Sequence, residues 1–375
     1  MRATRAIIHL DNLRQNIRVV RERIGFPLIC LPVKADAYGH GAVPVARAGL
    51  EAGADCLAVA AVDEGAELRE AGIDAPILLF TLPLPEELPR LIALHLTPFV
   101  FDREFIRLLA DALESALPGP KGRQPFPVHL KIDTGMGRAG CRPEEAPDLA
   151  AFICRQKNLE LAGVATHLAA SDSTTEDDIG WTKTQLVRFR EAVEGIKAGG
   201  LHPGIVHAAN SGATALHEDA WFDMVRPGIA LYGYSPFKDG PAALPVKPIM
   251  ELSTQIVSIK HIKQGESVSY GRTWTAAEDT TIGILPLGYG DGLPRSLSGK
   301  WKVRMEGGLY PLIGRICMDQ CMVNLGAGAK IPRWAKACIF GPGMQDAADM
   351  AAVTGTIPYE ITCNINKRVK RIYEG

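Results

Sequence analysis

One lysine stands at the point where a buried strand is expected to end. Lys34 follows the apolar run Leu28–Val33 and precedes the segment Ala35–Gly41, which contains tyrosine, histidine and two glycines. An amino group at the end of a buried strand loses water, which disfavours its charged form, and the neutral amine is the form that attacks a carbonyl group. Lys34 is therefore a candidate Schiff-base lysine, while a surface lysine at a strand-to-loop junction is the competing interpretation.

Other polar residues also follow apolar runs. They are Lys131, Asp133, Arg138, His167, Asn210, Ser211, Arg226 and Gly228. Taken singly, His167 fits a hydrogen-bonded core histidine, and Arg226–Gly228 fits a simple turn. Small residues with exposed N–H groups in Asn210–Gly212 and Arg226–Gly228 could instead hold a phosphate. A lysine beside a phosphate site, with no Gly-x-Gly-x-x-Gly after the first strand, suggests pyridoxal phosphate as the cofactor.

Short apolar runs alternate with amphipathic segments in the first two thirds of the chain. The predicted strands are Leu28–Val33, Cys56–Val62, Ile77–Thr81, Thr97–Phe101, Val128–Asp133, Leu161–Thr166, Ile205–Ala208 and Phe222–Val225. The predicted helices include Ala42–Glu51, Asp63–Ala71, Asp102–Ser115, Glu144–Gln156 and Thr182–Lys197. Eight such strands predict an α/β fold, a TIM-type (β/α)₈ barrel, rather than an open doubly wound sheet. The carboxyl ends of the strands would converge on one mouth and bring the polar residues together.

The pattern changes after Phe237–Pro245, which has the composition of a domain linker. The runs beyond it are short, with turns between them and few helical patterns: Gln255–Ile262, Thr281–Leu287, Trp301–Met305 and Ala337–Phe340. We therefore expect a barrel domain over residues 1–240 and a C-terminal, mainly-β domain over residues 241–375. A second Pro- and Gly-rich stretch, Ala116–Pro127, predicts a surface loop.

Composition excludes several classes of protein. The 375 residues are 47% hydrophobic and carry a net charge of −1, which gives no footprint for nucleic acid or an anionic membrane. No apolar run is long enough to span a membrane, and the first residues lack the pattern of a signal peptide. The eight cysteines are scattered, and Cys317 and Cys321 lack the second pair that a zinc site would need. We expect a cytoplasmic protein without a metal site.

The segment Pro32–Gly41 resembles the cofactor-lysine motif of the alanine racemases. Further segments similar to that family follow in the same order: Lys131–Arg138, Thr166-His167, Asn210-Ser211, Val225–Gly233, Ser269–Gly271, Gly288–Gly292, Gly314–Gln320 and Pro358–Glu360. The resemblance covers nearly the whole chain. Asn324 departs from it, because the family usually carries Asp there, but this position lies outside the catalytic motifs.

The resemblance implies the interconversion of L- and D-alanine on an external aldimine of pyridoxal phosphate. Lys34, which also carries the cofactor, and Tyr270 are implied as bases on opposite faces of the substrate. The other implied catalytic residues are Arg226, which would face the pyridine nitrogen and leave the ring a weaker electron sink, and His167, which with the site arginines would assist Tyr270. The implied cofactor contacts are Tyr38, Arg138, His167, Asn210, Ser211, Arg226, Gly228, Ile229 and Tyr359.

The resemblance further implies that Arg138 and the N–H of Met318 hold the substrate carboxylate and that Lys131 carries a carbamate in many members. It also implies a homodimer in which the C-terminal domain completes the partner's site, and a supply of D-alanine for peptidoglycan. A broader-specificity racemase acting on serine is the main alternative. A barrel decarboxylase would want a carboxylate in place of Arg226, and a pyridoxal phosphate carrier would have no use for Tyr270.

Overall fold

The computed structural model describes residues 3–116, 124–237 and 243–375. Its strands are β1 (Arg5–His9), β2 (Leu28–Pro32), β3 (Cys56–Val59), β4 (Ile77–Leu79), β5 (Leu96–Val100), β6 (Phe126–Lys131), β7 (Leu159–Ala165), β8 (Ile205–His207), β9 (Met224–Val225), β10 (Met250–Gln255), β11 (Ser258–Ile262), β12 (Ser267–Val268), β13 (Trp274–Thr275), β14 (Thr280–Leu285), β15 (Lys302–Met305), β16 (Gly308–Ile313), β17 (Cys321–Gly326), β18 (Lys336–Phe340) and β19 (Lys370–Glu374). Its helices are α1 (Leu10–Ile24), α2 (Lys34–Gly39), α3 (Ala42–Glu51), α4 (Val62–Glu70), α5 (Leu88–Ala93), α6 (Arg103–Ala116), α7 (Ala146–Cys154), α8 (Glu176–Ala198), α9 (Ser211–Leu216), α10 (Gly228–Leu231), α11 (Ala347–Thr354) and α12 (Pro358–Cys363).

Strands β2 to β9 form one parallel barrel in the order β8-β7-β6-β5-β4-β3-β2-β9. The two ends of this sheet are joined by a few hydrogen bonds, from the Asp223 amide to the Val206 carbonyl at 3.0 Å and from the Arg226 amide to the Ala209 carbonyl at 2.9 Å. The barrel is therefore nearly closed. Each of the eight runs predicted as strands overlaps one barrel strand, so the predicted (β/α)₈ fold is confirmed.

The barrel strands are buried on both faces, which explains why they appear in the sequence as continuous apolar runs rather than alternating ones. All four residues of β3 and all five of β5 are buried. The surrounding helices bury one stripe each. In α1 the buried residues Leu13, Ile17, Val20 and Ile24 recur every three or four positions, as an amphipathic helix requires.

A second, nine-stranded sheet follows the order β11-β14-β17-β16-β15-β18-β10-β1-β19. The mainly-β C-terminal region predicted from the sequence is thus present, and α11 and α12 accompany it. The predicted run Gln255–Ile262 contains the last residue of β10 and all of β11, with residues 256–257 in neither strand. Residues 117–123 of the predicted surface loop, and residues 238–242 of the predicted linker, lie outside the described residues.

The first strand of the chain belongs to this second sheet. Strand β1 pairs antiparallel with β10, placing Arg5 opposite Ser253, and parallel with β19, placing Arg5 opposite Lys370. Its side chains Ala6 and Ile8 are fully buried. The two ends of the sequence are therefore held side by side, and the barrel and the second sheet are joined by more than one crossing of the chain.

Candidate active site

The polar residues predicted at the barrel mouth come together there. Lys34 follows β2, Lys131 ends β6, His167 follows β7 and Arg226 follows β9. The pKa of His167 is lowered well below its usual value, first by burial and then by the charges of Lys131, Arg226, Arg138 and Lys34. One histidine thus lies within electrostatic range of four basic side chains, and His167 is neutral near pH 7.

Lys34 begins a turn with an unusual backbone. In α2 the residues Ala35, Asp36, Ala37 and Tyr38 have φ angles between 51° and 54°, so the turn is left-handed. Left-handed conformation costs L-residues roughly 1–2 kcal/mol each, and such strain persists at functional sites only where the surroundings fix it. Two carboxylates do so: Glu64 accepts from the Ala35 amide at 2.7 Å, and Asp36 accepts from the Ala42 amide at 2.8 Å.

The environment of Lys34 favours the neutral amine. Burial lowers its pKa first and the charge of Arg138 lowers it further, whereas Glu64 and Cys363 act in the opposite direction. The Nζ atom lies 6.0 Å from the centroid of the Phe80 ring. A lysine with a depressed pKa has more of the nucleophilic form near neutrality.

Arg226 is buried, and both terminal nitrogens of its guanidinium are hydrogen-bonded within the protein. It donates to the carbonyls of Thr166 at 2.7 Å and Ala208 at 3.2 Å, and to Nδ1 of His207 at 2.7 Å. Burial lowers its pKa only to about 10, so the group stays charged. Because a guanidinium only donates, His207 accepts at Nδ1 and donates from Nε2 to Nδ1 of His129, 2.8 Å away.

His129 and His207 are site residues that the sequence analysis missed. Burial is the main cause that lowers the pKa of both, that of His129 to about 3, so both rings are neutral. His129 lies two residues before Lys131 in β6, and alternate residues of a strand share a face. The two-residue spacing between His129 and Lys131 was therefore the sequence signal that could have identified His129 as a site residue.

Lys131 is buried, and the one carboxylate that favours its charged form does not offset the effects that disfavour that form. Burial lowers its pKa well below the usual value, the charges of Arg226 and Arg138 lower it further, and the carboxylate of Asp133 acts in the opposite direction. Its Nζ atom lies 5.6 Å from the centroid of the Phe99 ring. Burial and the neighbouring arginines thus both disfavour the charged form of the Lys131 amine.

A cluster of hydroxyl and amide groups lies beside Lys34. Tyr359 hydrogen-bonds to the Ser211 side chain and the Ile229 backbone, and burial raises the pKa of Tyr359 to about 12. The Tyr38 and Tyr359 rings are 5.5 Å apart. A Cβ atom at Gly228 would lie 2.7 Å from the Tyr38 hydroxyl. The geometry thus brings together five of the residues that the resemblance implied as cofactor contacts, and we call them the hydroxyl cluster: Tyr38, Ser211, Gly228, Ile229 and Tyr359.

Asn210 and Arg138 stand apart from the hydroxyl cluster. The Asn210 side chain accepts from Ser171 at 2.7 Å and from the Ala213 amide at 3.1 Å, so its oxygen already caps α9. Arg138 lies in an exposed loop whose backbone is held by the carboxylate of Asp133. Asn210 therefore shapes the site, whereas the Arg138 side chain remains available to a ligand.

Tyr270 and Met318 lie in the C-terminal region and are 70% and 53% exposed. The Met318 loop is braced by Arg368, which donates to the buried carboxylate of Asp291 at 2.7 Å and to Asp319 at 2.8 Å. The Met318 carbonyl accepts from the Gly290 amide at 2.9 Å. The Met318 loop is thus held in place by hydrogen bonds, yet the Tyr270 and Met318 side chains are both exposed in the single chain.

Metal-binding clusters and membrane-spanning helices are both absent from the described residues. In residues 3–116, 124–237 and 243–375, no group of three or more histidine, cysteine, aspartate or glutamate side chains could hold a metal ion. Within the same ranges, no helix has the length and apolar character required to cross a membrane.

Comparison with known proteins places these features in context. The sequence-family model of the alanine racemase N-terminal domain matches residues 8–236, and the family model of the C-terminal domain matches residues 249–373. An alanine racemase of Treponema denticola is 52% identical over 380 residues, covering all of this chain and 98% of the relative. One of Treponema pallidum is 45% identical and covers all of both chains.

Solved structures of alanine racemases also share the fold of this chain. The crystal structure of alanine racemase from Streptomyces lavendulae superposes with a TM-score of 0.92 at 34% identity, covering 100% of this chain and 98% of the other. The alanine racemase of Streptomyces coelicolor superposes with a TM-score of 0.91 at 38% identity, covering 99% of this chain and 98% of the other.

Proposed function

The chain belongs to the alanine racemase family, and on that premise we propose that it interconverts L- and D-alanine with pyridoxal phosphate bound at the barrel mouth. The observation that carries this proposal is the convergence at one mouth of Lys34, Arg226 and the hydroxyl cluster. A nucleophilic lysine, a fixed cation and an anion site together match the three ends of pyridoxal phosphate.

The residues present fit this cofactor. Gly228 leaves space where a side chain would meet the Tyr38 hydroxyl, and the hydroxyl groups of Tyr38, Ser211 and Tyr359 can donate to a phosphate. We assign the phosphate to these hydroxyls and to the backbone of Gly228 and Ile229. When bound, pyridoxal phosphate supplies a carbonyl that condenses with an amino group and a ring that withdraws electrons from the α-carbon.

Arg226 is proposed to face the pyridine nitrogen. Its guanidinium retains its charge despite burial and is oriented by three acceptors, so it donates a hydrogen bond without giving up a proton. The nitrogen then stays unprotonated, and the ring draws less charge from the substrate. This favours return of the proton to the α-carbon over side reactions.

Two residues are proposed to move the α-proton. Lys34 takes or returns it on one face of alanine and Tyr270 on the other, since inversion requires access to both faces. A tyrosine with a pKa of about 10 is a poor base unless cations or hydrogen bonds favour its anion. Arg138 and Arg226 would supply charge, and His167, which is neutral here, would supply a hydrogen bond.

Two groups are proposed to hold the substrate carboxylate and balance the charges around it. Arg138 and the N–H of Met318 would bind the carboxylate. Lys131 is a buried amine whose pKa is lowered by burial and by Arg226 and Arg138, so its neutral form is suited to add carbon dioxide and become an anionic carbamate, with release of one proton. That anion would offset the surrounding positive charge and orient Arg138.

The exposure of Tyr270 and Met318 supports a homodimer in which each C-terminal region completes the partner's site. Such closure would exclude water and strengthen the electrostatic interactions at the reacting atoms. We further propose that the enzyme acts in the cytoplasm, where D-alanine is supplied for peptidoglycan.

The test is chiral analysis of the amino acid after incubation with L-alanine and pyridoxal phosphate, with L-serine and L-lysine in parallel. We expect D-alanine to form at least about tenfold faster than D-serine, because the added hydroxyl must fit a site built for a methyl group. Comparable rates with serine would support a broader racemase. Release of carbon dioxide, or no change in any amino acid, would contradict the proposal.

A further inference from the structure

We infer that Arg371, in the last strand of the chain, is a positioning residue for Lys34. Its guanidinium donates two hydrogen bonds to the Gly39 carbonyl, from Nε at 3.1 Å and from Nη2 at 2.9 Å. Gly39 ends the left-handed turn that Lys34 begins. Arg371 thus holds the far end of the segment that presents the lysine.

The same guanidinium is anchored to its own segment. It donates to the carbonyls of Ile365 at 2.6 Å, Asn366 at 2.8 Å and Val369 at 2.8 Å. Counting Gly39, four carbonyl oxygens converge on one planar group. A clamp of this kind depends on the rigid fork of arginine donors, which the single ammonium of lysine does not reproduce.

The contact is partly buried and electrostatically matched. Burial lowers the pKa of Arg371, while the carboxylate of Asp36, which belongs to the turn, raises it. Asp36 in turn accepts from the Ala42 amide at 2.8 Å. Arg371 is therefore hydrogen-bonded to the turn at the Gly39 carbonyl and attracted to it by the charge of Asp36.

The part of the chain that carries Arg371 packs closely against the end of the turn. A Cβ atom at Gly39 would lie 2.2 Å from the Thr362 carbonyl, and one at Gly41 would lie 1.9 Å from the Tyr373 hydroxyl. Residues before and after Arg371 in the sequence thus pack against the end of the turn. Because four left-handed residues store strain, loosening this segment would release the turn toward ordinary backbone conformations.

Arg368 provides a matched contrast within the same segment. It lies three residues earlier and binds Asp291 and Asp319, which support the Met318 loop rather than the Lys34 turn. Arg371→Lys and Arg368→Lys are the same chemical change at two places. The first is expected to affect Lys34, and the second the loop proposed to bind the substrate carboxylate.

The first measurement needs no cofactor. Hydrogen exchange of the amides of residues 35–41 in the full-length apoprotein should be about tenfold faster in Arg371→Lys than in the unmodified chain, the scale of one charge-assisted hydrogen bond. Arg368→Lys should leave these amides within about twofold and accelerate exchange near Met318 instead. This comparison remains valid even if the proposed function is wrong.

The second measurement rests on the proposed function. With pyridoxal phosphate, borohydride reduction should label Lys34 in the unmodified protein, and Arg371→Lys should form this adduct about tenfold more slowly, the scale expected when a reacting group is misaligned. Arg368→Lys should instead raise the KM for alanine while leaving the adduct rate within about twofold. Alanine racemisation without any Lys34 adduct would contradict the cofactor assignment alone.

Folding is monitored by the thermal midpoint of each variant. Should Arg371→Lys fail to fold, Arg371→Gln, whose amide can still donate to Gly39, is measured in the same way. Folded Arg371 variants with unchanged exchange over residues 35–41 and unchanged adduct rates would overturn the inference. Equal effects of Arg371→Lys and Arg368→Lys at the turn would overturn it as well, because the role would then be general bracing.

Discussion

Arg226 shows how one side chain can be fixed by what lies behind it. Its three acceptors include His207, which is itself bonded to His129, and both rings are kept neutral by burial. A neutral histidine pair can accept from a cation at one end without competing for its proton. The charge of Arg226 is therefore available to a ligand on the open side.

Substitution of Arg226 by glutamate tests this role. Arg226→Glu should place a carboxylate at the ring nitrogen, favour its protonation and leave His207 without its donor. Racemisation should slow by about 100-fold, the scale of losing one preorganised group in a water-excluded site. A long-wavelength absorption band and some keto acid from transamination should appear, as measured by absorbance and product analysis.

Arg226→Lys is the matched control, because it keeps the positive charge but loses the fork of donors. It should lower the rate without producing keto acid. If Arg226→Glu kept the absorbance spectrum of the unmodified enzyme and made no keto acid, the proposed role at the ring nitrogen would be wrong.

Some single residues were predictable from the sequence and others were not. Lys34, His167 and Arg226 interrupt or follow apolar runs, so each stands out as a polar residue at a strand end. His129 and His207 lie within or at the end of such runs and satisfy each other, and a pair that is 78 residues apart has no local signature. A polar residue that interrupts or follows an apolar run is easy to recognise in a sequence, whereas the residue to which it hydrogen-bonds is not.

At the scale of elements, the left-handed turn after Lys34 depends on tight packing at Gly41. Gly41 has a φ of 98°, and a Cβ atom there would meet the Tyr373 hydroxyl. Gly53 has almost the same φ, 99°, with nothing within 4 Å. The two glycines share a positive φ and differ in their neighbours.

We therefore expect Gly41→Ala to destabilise the protein by about 1–3 kcal/mol more than Gly53→Ala, the range typical of overpacking. Urea unfolding of both variants measures the difference. Adding Tyr373→Phe to Gly41→Ala should recover part of the loss, since the hydroxyl is the closest clash. Equal destabilisation at Gly41 and Gly53 would show that Tyr373 moves away freely.

The elements themselves were mostly predictable, and this turn was not. Buried strands and amphipathic helices follow from hydrophobic periodicity, which is why all eight barrel strands were located. The turn consists of Ala35, Asp36, Ala37 and Tyr38, none of which is a residue that favours positive φ as glycine does. Its shape comes from contacts with Glu64 and Arg371, which are distant in sequence.

At the scale of the whole molecule, the exposed Tyr270 and the buried barrel mouth predict complementation between inactive chains. Lys34→Ala and Tyr270→Phe should each be nearly inactive as homodimers. In a mixed dimer one site loses both bases and the other keeps both. We expect activity to return to about half per heterodimer, as one intact site of two implies.

The measurement uses differently tagged chains mixed under conditions that allow exchange, with purification of the heterodimer before assay. Mixing Lys34→Ala with Lys34→Arg is the control and should restore nothing. Inactive heterodimers of verified composition would show that Tyr270 serves the site of its own chain.

The arrangement of the whole chain was only partly predictable. The barrel and the β-rich second region follow from the change in pattern after Phe237. The placement of β1 does not, because Arg5–His9 is a short apolar segment that gives no indication of which sheet it joins. Its neighbours β10 and β19 lie at the other end of the sequence.

That placement of β1 has a consequence for synthesis on the ribosome. The strand leaves the exit tunnel early, yet β10 follows it by about 240 residues, which takes roughly 10–50 s at usual elongation rates. During this interval Ala6 and Ile8, fully buried in the finished protein, have no strand to pair with. The barrel can close while the chain is still growing, whereas the second sheet waits for β10 and β19 to emerge. Nascent chains are thus exposed to aggregation at β1 until those strands are available.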